Sequence, residues 1–187
     1  SGLKGKTIAV NALGGLSQDL TESLLVLAGI PGSQRNWAVL PFPALGAAVA
    51  AGHVAAAFMV EPYTSEAEER YGVITLADPD QGGSQNLPIT GYFTARTWFD
   101  SHRAAAQAFV GALEQGEQIA ATSRTAVEQA LIRHLGLSPG TAAMMSLGTF
   151  PTGVDPIQLA RVADLMQTHR ELPANDNIAA IAAALTK

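Results

Sequence analysis

Two short runs in this sequence carry groups suited to holding a small polar molecule. The first is Asn11-Ala12-Leu13-Gly14-Gly15-Leu16-Ser17. It leaves a β-rich run, Thr7-Ile8-Ala9-Val10, and enters a stretch with apolar residues at 20, 24, 25, 27 and 28, which is helical spacing. The start of a helix offers unpaired backbone N–H groups and a partial positive charge, which together suit an anion. Gly14 and Gly15 would let a ligand approach the backbone closely, and Ser17 adds a hydroxyl. An ordinary strand-to-helix turn would use the same residues, and residue types alone leave both readings open. The second run is Glu61-Pro62-Tyr63. Glu61 could accept hydrogen bonds from an amino or ring N–H of a ligand, with Tyr63 as an aromatic wall. Equally, Glu61 could serve the start of the next helix and Tyr63 could simply pack.

Other chemistries find little support. The glycine run lacks the Gly-Lys-Ser/Thr of a phosphate loop and does not follow the Gly-x-Gly-x-x-Gly pattern. It is not a Gly-x-Ser-x-Gly nucleophile elbow either. With no cysteine, disulfides, thiolate metal sites and cysteine catalysis are excluded. His53, His102, His134 and His169 are far apart and show no metal-type spacing, so they read as surface or helix-end residues. Glu66, Glu68 and Glu69 read as a solvated helix face, and Trp37 and Trp98 as core or hinge packing. No metal and no cofactor are expected.

Alternating elements must position the two runs. Strands are expected at 7–11, 37–40, 54–60 and 73–77, with further β-prone sequence at 89–97. Helices are expected at 16–29, 44–51 and 62–71. Beyond that the period changes, predicting helices at 99–121, 124–135, 139–146, 156–168 and 178–185. Asp155 is placed to cap the 156–168 helix, with Pro156 as its first residue. Strand–helix alternation with short connections implies a mostly parallel sheet covered on both faces, followed by a helical region without a sheet of its own.

Composition agrees with a folded, well-buried α/β protein: 48% of the 187 residues are hydrophobic and 14% charged. The net charge is −5 with no cluster of Lys and Arg, which argues against a nucleic-acid partner. The longest apolar stretch, 44–60, is interrupted by Gly46, Gly52 and His53, short of the roughly 18–20 residues a membrane span requires. The first residues show no signal-peptide pattern.

Several stretches, in order, resemble one family. They are Leu3-Lys4-Gly5-Lys6-Thr7-Ile8-Ala9-Val10; Pro41-Phe42-Pro43 before a small-residue helix; the run from Ala50 to Ala57 leading into Val60-Glu61-Pro62-Tyr63; Gly91-Tyr92-Phe93-Thr94-Ala95-Arg96; and Phe150-Pro151-Thr152 before Asp155-Pro156. The chain is similar to the nitrate/taurine/alkanesulfonate/thiamine-precursor solute-binding proteins of ABC transporters. The resemblance implies a type II periplasmic-binding-protein fold, in which two α/β lobes close on a small ligand. It makes 3–90 the second ligand-binding lobe and 91–187 a hinge strand plus a helical tail that packs on the first lobe. That first lobe, roughly 100 residues, would precede Leu3.

The implied role is capture of a small polar or anionic organic solute, with Asn11, Gly14, Gly15, Leu16, Ser17, Glu61 and Tyr63 contacting it. The implied partners are the solute and the membrane permease, and the implied location is periplasmic or otherwise extracytoplasmic. One departure stands out: the family usually has Asp where this chain has Ala55. Two alternatives share the fold, a ligand-sensing domain of a regulator and a thiamine-precursor synthesis enzyme. The enzyme would need an active site bearing His and Cys, and cysteine is absent. Apolar surface left exposed on the tail helices and on 92–97 would favour a homodimer of the chain as given, and half a cleft would bind weakly.

Overall fold

The computed structural model describes residues 2–79, 84–153, 155–173, 177 and 180. Its centre is a parallel sheet of three strands, β1 (Thr7–Val10), β2 (Asn36–Val39) and β3 (Ala56–Ala57), in the order β2-β1-β3. The register sets Ile8 beside Trp37 on one side and beside Ala56 on the other. Parallel neighbours need crossovers, and two helices supply them: α1 (Leu16–Leu27) between β1 and β2, and α2 (Phe42–Ala50) between β2 and β3.

The uniformly apolar Ile8-Ala9-Val10 is explained by burial on both faces, since successive side chains alternate across a strand. Ala9 packs with Leu45, Ala48 and Val54 on the α2 side. Ile8 packs with Leu25 and Ile30, and with the half-buried Trp37, on the α1 side. Thus each helix buries its apolar stripe against one face of the central strand. α1 ends where Gly29 takes φ 71°, a left-handed conformation that lets the Ile30 N–H close on the Leu25 carbonyl at 2.9 Å.

Helix α3 (Tyr63–Tyr71) lies tightly on α2: a Cβ added at Gly46 would come 2.6 Å from the Cβ of Ala67. The remaining helices are α4 (Arg96–Ser101), α5 (Arg103–Thr122), α6 (Arg124–Leu135), α7 (Pro139–Met144) and α8 (Pro156–Thr168). Side-chain bonds tie this helical half to the sheet half. The Glu69 carboxylate accepts from the hydroxyls of Ser138 and Thr141 at the head of α7. Arg124 donates to the carbonyls of Ala143 and Met145 at 2.6 and 2.9 Å, fastening α6 to the exit of α7.

The expected α/β class, with its parallel sheet and helical continuation, is therefore present. Several boundaries differ. Residues 73–77 and 89–95 form no strand; Ile74, Leu76, Ile89 and Phe93 are exposed, and among the described residues no neighbouring strand supplies the ladder that β-prone residues need. The third strand shrinks from 54–60 to two residues: the N–H groups of Ala55 and Phe58 still bond to the carbonyls of Thr7 and Ala9, each at 2.9 Å, but β1 is only four residues long and has nothing opposite 59–60. The 99–121 helix begins earlier and breaks at His102, whose backbone leaves helical geometry at φ −132° and whose ring stacks on Trp98 at 4.8 Å. Asp155 caps α8 as expected, accepting from the Ile157 N–H at 2.8 Å. The expected 178–185 helix lies outside the described residues, apart from Ala180. Helices α5, α6 and α8 contain no fully buried residue.

Candidate functional site

From β1 the chain passes to β2 on one side, and from β2 it crosses back to β3 on the other. The carboxyl ends of β1 and β3 therefore flank the point where the winding direction reverses. In open α/β sheets the crevice outside that point is where ligands bind. The turn 11–17 leaves β1 there, and 58–63 leaves β3 on the same edge.

The turn itself is open. Asn11, Ala12, Leu13 and Gly14 are exposed, and Gly15 and Leu16 are half-buried. Gly14 has φ 65°, which favours glycine, and Gly15 is the N-cap of α1 in extended conformation. No side chain caps α1. The N–H groups of Gln18 and Asp19 bond to the Gly15 carbonyl, and that of Gly14 to Gln18 Oε1 at 2.8 Å. The N–H groups of Leu16 and Ser17 meet no acceptor among the described residues, leaving donors at the head of a 12-residue helix. The Ser17 hydroxyl, expected to join the turn's contacts to a ligand, is buried, and its Oγ has no hydrogen-bond partner among the described residues.

Glu61 is heavily committed. Oε2 accepts the Ser65 N–H at 3.1 Å, and Oε1 accepts the Ser65 hydroxyl and the Ser146 N–H, each at 3.0 Å. It thus holds the first turn of α3 and the chain leaving α7, so its helix-start role is realised. Tyr63 stacks on Phe42, the first residue of α2, with ring centroids 5.6 Å apart and planes 8° from parallel. Both border a cavity of about 470 Å³ that runs between α2, α3 and α7 past Glu66, Arg70 and Ser138. No residue of the 11–17 turn lines it, so the turn and Tyr63 share a sheet edge without sharing that cavity. Phe42 was missed in the sequence, where Pro41 and Pro43 drew attention to the helix start alone.

A charged cluster also adjoins the turn, and local spacing gave no sign of it. Asp19 is 4% exposed. His169 Nδ1 lies 3.5 Å from Asp19 Oδ1 and 3.5 Å from Glu22 Oε2. Glu171 comes within 3.7 Å of where a Gly14 side chain would begin. The Asp19 carboxyl is pushed up to about 6, chiefly by burial; His169 opposes the rise, and the nearby Glu171 and Glu22 carboxylates add to it. Among the described residues no group of three or more His, Asp or Glu is placed to hold a metal ion, and no helix is long and apolar enough to cross a membrane.

The model of the NMT1-like family matches residues 1–135, which takes in the whole sheet, the glycine turn and the helices through α6. The chain belongs to the NMT1-like family. Among solved structures, this NMT1-like chain is similar to the alkanesulfonate-binding protein SsuA from Xanthomonas axonopodis pv. citri bound to MOPS, with a TM-score of 0.71 and 24% identity. The likeness covers 96% of this chain and 63% of SsuA, so the chain spans less than two thirds of that protein's length. It establishes the fold as that of a type II periplasmic binding protein. No curated protein matches this NMT1-like sequence.

Proposed function

We propose that this chain supplies the second lobe of a solute-binding protein serving an ABC importer, and acts as a binding protein rather than an enzyme. Residues 3–90 form the lobe that touches the solute. Residues 91–187 form the connection and helical tail that pack on the other lobe. The open glycine turn carries the reading: at the switch point of a parallel sheet it ends in the Leu16 and Ser17 N–H groups, which meet no acceptor among the described residues. Those donors suit one anionic head group, and a sulfonate satisfies several at once. The MOPS bound by SsuA is a compound of that class. The wide apolar exposure of α5 and of 89–93 fits a surface that another lobe covers. The permease is the partner in transport, and the location is extracytoplasmic.

The test is calorimetry on the full protein encoded by the reading frame that contains this chain, titrated with MOPS, taurine, nitrate and sulfate. A sulfonate is expected to bind most tightly. Gly14→Val, which puts a branched side chain at positive φ, is expected to weaken that binding about tenfold or more. Preference for bare nitrate or sulfate, or indifference to Gly14→Val, would remove the turn from the site.

A further inference from the structure

Asp19 Oδ2 and Glu171 Oε1 are both buried, and neither meets a hydrogen-bond donor among the described residues. Position rather than chance brings them together. The chain reverses after α8 at Arg170, where φ is 64°, and the Glu171 N–H closes on the Met166 carbonyl at 2.8 Å. That fixes Glu171 beside the first turns of α1. Two ionised carboxylates have only acceptors to offer each other. One proton placed between them turns the same contact into a hydrogen bond and removes a repulsion.

The surroundings do not remove the need for that proton. Glu22 and Ser23 face the cluster from α1, and His169 and Glu171 face it from the chain after α8. Arg35 reaches in from the 3-10 turn at Gly32–Gln34, but its Nη1 stands 4.0 Å from Glu22 Oε2, and its other nitrogens donate to the Ile30 carbonyl. His169 stands 3.5 Å from carboxylates on two residues, and its other ring nitrogen stands 3.5 Å from Ser23 Oγ. His169 thus faces the carboxylates of Asp19 and Glu22, Arg35 reaches only Glu22, and Asp19 Oδ2 and Glu171 Oε1 remain buried without a hydrogen-bond partner among the described residues.

We infer that Asp19 and Glu171 share one proton, so that the junction of α1 with the chain after α8 is a proton-binding site whose occupancy clasps residues 169–172 to the head of α1. The raised affinity of Asp19 for its proton agrees with this, and its causes include the Glu171 carboxyl as a hydrogen-bond partner. Because Glu171 borders Gly14, the same proton also sets the charge beside the glycine turn. That consequence rests on the solute reading above; the proton site does not.

The test is a side-chain carboxyl carbon NMR titration of the chain, followed at Asp19 from pH 3 to 9, with no solute present. The Asp19 midpoint is expected near 6. Glu171→Gln replaces the shared proton with an amide donor, so it is expected to lower that midpoint by about one unit or more. A wild-type midpoint at or below about 4, or one that Glu171→Gln leaves in place, would overturn the inference. Failure of Glu171→Gln to fold would leave the wild-type titration to decide. Loss of solute binding, with the titration as expected, would overturn the solute reading alone.

Discussion

Glu61 Oε1 accepts the backbone N–H of Ser146 at 3.0 Å, joining the end of the third strand's run to the exit of a helix 85 positions later. The same carboxylate holds the Ser65 N–H and hydroxyl. Glu61 is therefore a brace before it is anything else. Glu61→Ala is expected to cost about 1–3 kcal/mol in urea unfolding, from a lost helix-start acceptor and an unsatisfied amide. Glu61→Gln keeps an acceptor oxygen and should recover part of that. If Glu61→Ala unfolds at the wild-type urea midpoint, the brace is not holding.

Two glycines should respond in opposite directions. At Gly46 a methyl would meet the Ala67 Cβ at 2.6 Å, so Gly46→Ala forces α2 from α3 and is expected to destabilise by about 1–3 kcal/mol. At Gly111, inside α5, nothing lies within 4 Å of an added Cβ. Gly111→Ala should stabilise by about 0.5–1 kcal/mol through backbone entropy. Thermal melts of the two variants beside wild type check both signs, and equal shifts in one direction would contradict the packing argument.

Stability should fall as pH rises from about 4 through about 6, and level off above that. The Asp19 carboxyl is held at about 6 in the folded chain, against an ordinary 3.8, so the folded state binds this proton more tightly than the unfolded state does. Its contribution is full below about 3.8 and is lost as pH rises through about 6. Asp19→Asn cannot ionise, so its unfolding free energy should lose that slope and exceed wild type at pH 8. Urea titrations at pH 5 and 8 measure this. A wild-type slope that persists in Asp19→Asn would assign the effect to another group.

The core of this fold was legible because it is written locally. Ile8-Ala9-Val10 is apolar without alternation, as a strand buried on both faces must be, and Asp155-Pro156 announces a helix start by residue type alone. The segments 73–77 and 89–97 read as strands for the same local reason and failed, because strand formation depends on a neighbour that sequence does not display. The glycine turn was legible as a turn, and its place at the switch point followed from the strand order. The burial of Ser17 and the convergence of Asp19 with His169 and Glu171 were not legible. Asp19 carries the charge that any helix N-terminus favours, and its partners lie about 150 positions away in a region with no pattern of its own.

The bonds from Glu69 to Ser138 and Thr141 bear on the order in which the protein can be made. A ribosome adds residues at roughly 5–20 per second, so α3 emerges seconds before the hydroxyls that will engage it. During that interval the nascent sheet, with both its crossovers in hand, can collapse around Ala9 and Leu45, while the outer face of α3 stays unclaimed. Final locking of the N-terminal half thus waits on synthesis of the C-terminal half.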